Sequence, residues 1–441
     1  MPTLITTDPR QRLARRVTRA MPHGDGVVRA EAPWPDAPDP LDWLAAHAGE
    51  QTAYWSGRDD ETVRAAIGIA HEITGPDALR QLAEAAPALP EGATYLGGLR
   101  FDGTTPTERE WAGFGAGRFI LPRVEMVVRD GEATLAVNAV SRDSHEAVRS
   151  ALDRIVLDPT PMPRALDYPV ARVDRPDREG WRGAVESALA AMERGEMRKV
   201  VLARRATYRF EDALDPTALL HRLTEAAPTA FHVLLSDGAG RQFLAATPER
   251  LVRVTGREAW TEAVAGTRRR GAGADARAFH DELAGSEKDR REHAFVRDFI
   301  TEALAPFASV VCVERPLQIE AARVRHLKTP LRATLREGVA PLDVVEALHP
   351  TPAVAGTPTP AALATIHRLE GFDRGLYAGP IGWVSRDAAE FAVGIRSGLL
   401  CGTDLALYAG AGLVPGSVAE AEWNETEAKL GAFADALGLE G

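Results

Sequence analysis

Lys199 lies in the stretch EMRKVVLARR, directly ahead of Val200, Val201, Leu202 and Ala203. A run that apolar, with two β-branched residues, reads as a strand covered on both faces. A cation at its head is either a solvated strand end, its stem over apolar surface and its ammonium in water, or a buried amine with a chemical task. Two acidic pairs follow. In the segment FHDELAGSEKDRREHAFVRDFITEAL, the apolar stripe runs through Val296, Phe299 and Ile300. Stepping back three or four residues reaches His293, Glu292 and Asp289, so Asp289 and Glu292 extend the core-facing side while Arg290, Arg291, Arg297 and Asp298 face out. In VAEAEWNETEAKLGAFADAL, Glu422 and Glu425 are three apart, and Lys429 and Phe433 continue their stripe. Either pair alone also fits a stripe that ends at a helix terminus. Carboxylates on a buried stripe are costly unless paired or metal-bound, and four of them without Cys or a spaced His pair suit a hard cation such as Mg²⁺. His293 has no second histidine at a zinc spacing. The segment YAGAGLVPGS reads as a loop in which Gly410 and Gly412 let backbone N–H groups approach an anion ahead of a helix N-terminus. Arg396 and Lys429 are further cations among apolar neighbours.

These residues need elements to hold them. The piece REGWRGAVESALAAMERGEM places Trp181, Val185, Leu189 and Met192 at helical spacing, with Gly195 able to close the helix. Strand patterns recur in KVVLARRATYRF, AFHVLLSD, SVVCVERPLQIEA, YAGPIGWVS, AEFAVGIRSGLLCG and DLALYAGAGLV, and RQFLAATPERLVRVTGREAWTEAVAGT reads as hairpins. Helices are expected near 216–227, from about 279, near 342–348, near 360–369 and over 419–437. Hairpins outnumber regular βαβ crossovers, so the expected fold is α+β with mainly antiparallel sheets. The first 165 residues mix helix and strand patterns and contain no legible chemistry. The Pro-rich stretch from 157 to 177 reads as a linker after them.

Composition narrows the function. Lys plus Arg number 52 against 63 Asp plus Glu, a formal net charge of −11. A nucleic-acid or anionic-membrane surface would then need a strong local basic patch, and the densest cluster, GTRRRG at 266–271, reads as a solvated turn or strand end. Two cysteines, Cys312 and Cys401, suit neither a disulfide framework nor a Cys-based metal site. The N-terminus lacks an apolar signal region and no run of about 18 apolar residues occurs, so a soluble, cytoplasmic protein is expected.

The motifs KVVLARR, ATPERLV, AVAGTRRRG, SEKDRREH, ALHPTPAVAGTP, GLYAGPIGW, VGIRSGLL and YAGAGLVPGSVAEAEWNETEAKL, in this order, resemble the chorismate-utilising enzymes. That family includes anthranilate, aminodeoxychorismate, salicylate and isochorismate synthases. The resemblance covers roughly residues 175 to 436. It implies a single large domain of layered antiparallel sheets with outer helices, in which a variable N-terminal portion (1–165) folds together with the chorismate-binding region (166–441). It further implies that Glu292 and Glu425 bind Mg²⁺ directly, that Asp289 and Glu422 support it through water, and that the metal holds the ring carboxylate of chorismate. Arg396, the loop Gly410, Ala411 and Gly412, Lys429 and Tyr377 would bind the substrate, with His326 facing it.

Within the family, amine-using members carry glutamine where Lys199 stands, and members that add water carry lysine. Lys199 thus resembles the base that takes a proton from water attacking C2 of the ring. Glu249, in TPERL, resembles the acid that protonates the hydroxyl leaving C4. An apolar strand favours the neutral amine, and a carboxyl that must donate a proton needs its pKa raised. Ala265 fills the place of a nucleophilic lysine found in aminodeoxychorismate synthases. Ala353 fills that of a threonine in anthranilate and salicylate synthases. The implied activity is Mg²⁺-dependent interconversion of chorismate and isochorismate, feeding menaquinone or siderophore assembly, by a chain of monomeric habit with no amidotransferase subunit. The rival readings are a salicylate synthase, which also eliminates pyruvate, and a catalytically silent protein of the same fold that binds a carboxylate ligand or a partner.

Overall fold

The computed structural model of the chain describes residues 8–20, 26–59, 62–103, 107–161, 166–269, 287–321, 324–436 and 438, with backbone alone at 265–269, 287–289, 291–292, 318–321, 324–326 and 432. The strands are β1 (Val27–Pro33), β2 (Thr52–Ser56), β3 (Val63–Thr74), β4 (Tyr95–Leu99), β5 (Gly117–Arg129), β6 (Glu132–Val140), β7 (Ala171–Arg175), β8 (Lys199–Arg209), β9 (Phe231–Ser236) and β10 (Arg241–Thr247). They continue with β11 (Arg250–Thr255), β12 (Glu258–Arg269), β13 (Ala308–Val313), β14 (Leu317–Ala321), β15 (Val324–Leu335), β16 (Gly356–Thr357), β17 (Pro380–Val384), β18 (Ala388–Val393), β19 (Ser397–Cys401) and β20 (Asp404–Leu413). The helices are α1 (Pro9–Ala20), α2 (Pro40–Ala45), α3 (Ala78–Ala85), α4 (His145–Asp153), α5 (Arg178–Glu193), α6 (Pro216–Ala226), α7 (Glu287–Leu304), α8 (Pro341–Leu348), α9 (Thr359–Leu369) and α10 (Ala419–Ala436).

All ladders among the described strands are antiparallel. One row of neighbours runs β7–β8–β20–β19–β10–β9–β2–β3–β5–β6–β1. The long β5 also pairs with β4, from which a second row continues through β17, β18, β11, β12 and β15, with β13 and β14 lying in turn along β15. Period-two alternation explains the layering. In β9 and β10, Phe231, Val233, Leu235, Phe243 and Ala245 enter the larger core, while Leu234 and Leu244 enter a second core under α1, α2, α6 and the end of α10. Phe119 meets Phe391 edge-on at 6.0 Å and ties the two rows together.

The structure corrects several expectations. The stretch 157–177 is not a boundary between separate units: β7 pairs with β8 from Ala171↔Arg209 to Arg175↔Arg205, so the chain enters the same sheet. Prolines confine such a strand to an edge rather than excluding it. The first 165 residues are stitched into the sheet by β2 on β9 and β4 on β17. Of the expected hairpins, β11 and β12 form one, but β10 pairs with β9 and β19 instead. The segment SVVCVERPLQIEA breaks between β13 and β14. In the basic cluster, β12 runs to Arg269, and 270 and 271 lie outside the described residues, as does the start of the charged helix before Glu287. Cys312 and Cys401 are both exposed and free. No described helix is long and apolar enough to cross a membrane.

The tightest fit lies beside Lys199. Gly356, at φ 142°, pairs with Val200, and a Cβ there would sit 2.2 Å from the Lys199 carbonyl oxygen and 2.8 Å from Val200 Cα. Gly356→Ala is expected to destabilise the chain by roughly 2–4 kcal/mol, because both the backbone conformation and the ladder must yield. Gly183→Ala, in the interior of α5 with open space around it, should be neutral or slightly stabilising. Thermal melts of the two variants check the contrast.

Candidate active site

β8 is buried from Lys199 through Arg204, and Lys199 itself has no exposed surface. Its two edges are both occupied. Gly356 and Thr357 of β16 lie opposite Val200 and Lys199, and β20 sets Gly410, Ala411 and Gly412 opposite Ala203, Leu202 and Val201. A buried fork, Glu370 with Arg374, locks this strand further. Glu370 Oε1 accepts the Ala203 N–H at 2.7 Å, and Arg374 donates to the carbonyls of Val201 at 2.8 Å and Val354 at 2.9 Å. Lys199 is therefore not a solvated strand end.

Glu249 sits in the short break between β10 and β11. Pro248 supplies no N–H, so the ladder cannot run on through it. The Glu249 N–H turns to Thr247 Oγ1 at 3.3 Å and its carbonyl accepts the Val393 N–H at 3.0 Å. The residue is only 8% exposed. Burial, with anionic Glu262 pushing the same way, raises its carboxyl to about 7, although Lys199, Arg396 and Lys429 pull it down. These three cations therefore act on Glu249 from three different elements.

Arg396 is not within a strand. It occupies the bend between β18 and β19 at φ 48°, and its carbonyl accepts the Ala246 N–H at 3.0 Å. A non-glycine residue held there is the kind of backbone strain that gathers at functional sites. Burial pushes the half-buried guanidinium below its ordinary value, while Tyr377, Glu425 and Glu249 favour its charge. Tyr377 stacks on Tyr408 at 5.3 Å and is raised to about 12, chiefly by burial.

The glycine segment differs most from its expected form. Residues 410–412 are strand, not loop, and the turn before α10 is Val414–Ser417. The pairing with β8 already uses backbone groups of these residues, so they form no free nest of N–H donors. Gly410 instead provides clearance and an acceptor. A Cβ there would lie 3.0 Å from the Tyr377 hydroxyl, and its carbonyl accepts Lys429 Nζ at 2.7 Å.

α10 carries Glu422, Glu425 and Lys429 to this place. Lys429 Nζ also reaches Glu425 Oε1 at 2.7 Å, and Glu422 is 2% exposed. The helix is anchored by Arg204, which stacks 3.8 Å over Trp423 and donates to Thr426 Oγ1 at 2.7 Å. The side chains of Asp289, Glu292, Ala265 and His326 lie outside the described residues; their backbones belong to α7, β12 and β15. On α7, His293 is buried and meets Thr329 Oγ1 at 2.7 Å, in line with Val296 and Ile300. Ala353 lies in the 351–355 turn, its N–H donating to Thr351 Oγ1 at 3.3 Å. No cluster of three or more His, Cys, Asp or Glu side chains suited to a metal occurs among the described residues. The two α10 carboxylates are nonetheless oxygen donors of the type a hard cation prefers, and Glu425 lies near enough to Arg396 to favour its charge.

The chain thus brings Lys199, Glu249, Tyr377, Arg396, Glu425 and Lys429 within electrostatic or hydrogen-bonding reach of one another. Sequence reasoning missed Glu262, Glu370 and Arg374. Glu262 did leave a signal, a carboxylate inside the otherwise apolar WTEAVAG, the same anomaly that singled out Lys199. The ionisation of Glu249 has a measurable consequence. Its folded-state value near 7 lies above the ordinary 4.5, so the folded chain holds a proton that the unfolded chain releases first. Stability is full below about pH 4.5 and falls as pH rises through 7. Glu249→Gln should remove that loss: its stability relative to the parent should grow across this interval and level off at roughly 3 kcal/mol. Denaturant titrations between pH 4 and 8, an interval of about 4 units that spans both values, check the sign.

Comparison with known proteins identifies the family. The family model described as chorismate binding enzyme matches residues 23–438. A "Salicylate biosynthesis isochorismate synthase" of Pseudomonas aeruginosa is 36% identical, over 91% of this chain and 88% of its own length. "Isochorismate synthase MenF" of Escherichia coli is 30% identical over 98% of both chains. The solved structure of the menaquinone-specific isochorismate synthase MenF from Escherichia coli superposes with a TM-score of 0.85 at 28% identity, covering 97% of this chain and 99% of the other. With a core of antiparallel layers and matches that run over nearly its whole length, the chain belongs to the family of chorismate-binding enzymes.

Proposed function

We propose that the chain is an isochorismate synthase, which adds water at C2 of chorismate and expels the C4 hydroxyl. The observation that carries the reading is a buried carboxyl raised to about 7, Glu249, within electrostatic reach of the buried amine Lys199. The relatives named as isochorismate synthases support it. Water approaching C2 gives a proton to Lys199, which must take part as the unprotonated amine, as the new C–O bond forms. The ring double bonds shift, the C4–O bond breaks, and Glu249 delivers a proton to the departing hydroxyl, so water is both consumed and released. In the reverse direction the two groups exchange roles. Arg396 and Lys429 bind the substrate carboxylates, and the buried Tyr377 lines the site beside them.

The cofactor proposed is Mg²⁺, held directly by Glu292 and Glu425 and through water by Asp289 and Glu422. When bound, it supplies a divalent charge for the ring carboxylate of chorismate. Because water is the nucleophile, the reaction needs no ammonia-supplying subunit. Ala353, standing where salicylate synthases resemble one another in carrying threonine, suits a reaction that stops at isochorismate.

Purified protein with chorismate and Mg²⁺ should form isochorismate without salicylate or free pyruvate, resolved by chromatography. Pyruvate released in step with turnover would instead support a salicylate synthase. Lys199→Gln should lower the rate by at least about 10²-fold with substrate binding retained, since the carboxylate-binding groups are untouched. A rate within tenfold or so of the parent would remove Lys199 from the mechanism. Glu425→Gln should fold normally yet fail to turn over at any attainable Mg²⁺ concentration, and near-normal activity in saturating Mg²⁺ would sink the proposed coordination.

A further inference from the structure

Arg58, from the N-terminal portion in which no chemistry was legible, reaches the backbone of the proposed acid. Its Nη1 donates to the Pro248 carbonyl at 2.5 Å and to Glu262 Oε1 at 2.5 Å, while Nη2 meets Glu262 Oε2 at 3.0 Å. Glu262 Oε1 in turn accepts the Arg250 N–H at 3.1 Å. The peptide groups immediately before and after Glu249 are thereby joined through one bidentate ion pair. Thr247 Oγ1 and the Val393 N–H already hold the backbone of Glu249 itself. Four successive tethers leave the carboxyl little freedom except through its own side-chain torsions.

We propose that Arg58 and Glu262 are positioning residues for the proton donor: the ring they close around Pro248–Arg250 fixes where the Glu249 carboxyl stands in the pocket. The fork geometry of guanidinium and carboxylate suits this task, because a bidentate pair fixes orientation as well as distance. The pair is itself held. Glu262 is 5% exposed, and Lys328 Nζ lies 2.5 Å from its Oε2. Arg58 and Arg250 lie at 5.2 and 5.4 Å from the Phe231 ring centroid, and Arg250 is further bound by Asp59 at 2.6 Å and Glu390 at 2.8 Å.

The arrangement has an electrostatic side. Burial alone would raise the Glu262 carboxyl, but Arg58 and Lys328 outweigh it and keep the group ionised. This fixed anion acts on Glu249 and opposes the three cations Lys199, Arg396 and Lys429 that act on it from β8, the β18–β19 bend and α10, with Tyr377 also within electrostatic reach. One carboxylate, held charged, disfavours ionisation of the other.

This inference rests on Glu249 being the proton donor, and the experiment separates the two. Assays use the full-length chain with chorismate and Mg²⁺. Glu262→Gln keeps the acceptor for the Arg250 N–H but turns a donor toward Arg58 and Lys328. It should lower kcat by about tenfold or more with KM within about threefold, as expected when a reacting group is misplaced while binding is kept. Arg58→Lys, which keeps the charge but loses the fork, should lower kcat in the same way and carries the test if Glu262→Gln does not fold. The pH-dependent stability difference between the parent and Glu249→Gln supplies a readout that a merely structural role would not move. When Glu262→Gln is introduced into both of those chains, the midpoint of that difference should fall by about one pH unit. A kcat within about twofold of the parent in both variants, or a fall in kcat with that midpoint unmoved, would overturn the clamp. If Glu249→Gln itself kept the parent rate, the assignment of Glu249 as donor would fail, independently of what the clamp variants do.

Discussion

The site depends on one ladder. Ten consecutive pairs between β8 and β20, from Arg209↔Asp404 to Val200↔Leu413, place a buried lysine at one end of a strand and a glycine-rich strand beside it. A slip by one residue would turn every side chain of β8 to the opposite face, taking Lys199 out of the pocket and Arg204 away from α10. Such a register is strongly specified because both faces of β8 are buried. Gly356, Glu370 and Arg374 add backbone contacts that admit no other alignment.

Burying charge on this strand is costly, and the surroundings offset it in two different ways. Arg204 is held by Thr426, Asp174 and Glu427 as hydrogen-bond partners and by the Trp423 ring beneath its guanidinium, which offset part of the burial that lowers it. Its task is to anchor α10. Glu249 is only partly compensated: burial and the neighbouring Glu262 anion outweigh the pull of three cations, so its carboxyl titrates near neutrality. Glu262, no more exposed than Glu249, is hydrogen-bonded to Arg58 and paired with Lys328, and it stays ionised. Two neighbouring carboxyls thus differ in their hold on a proton, and the difference comes from hydrogen-bonded cationic partners rather than from depth.

Much of this was legible beforehand. Lys199 was conspicuous because a cation heads an apolar, β-branched run; Glu422 and Lys429 because helical spacing puts polar groups on a packed stripe. The expected α+β class and antiparallel pairing followed from alternating strands joined by short connections. The misreadings share a physical cause. YAGAG reads as a loop because glycine is common in turns, yet here the missing side chain makes room for Tyr377 inside a strand. The Pro-rich stretch before Arg175 reads as a linker because proline disfavours central strands, yet an edge strand tolerates it.

The sequence by itself determined the kinds of group available, the faces on which periodicity places them and the order of the motifs, since these depend only on residues a few positions apart. Tertiary structure decided which groups meet. Arg58 is separated from Glu262 by 204 positions, and nothing local to either announces the other. Whether a carboxyl is charged is equally non-local: it is set by desolvation and by cations brought from other strands and helices. Those energies exist only once the layers close.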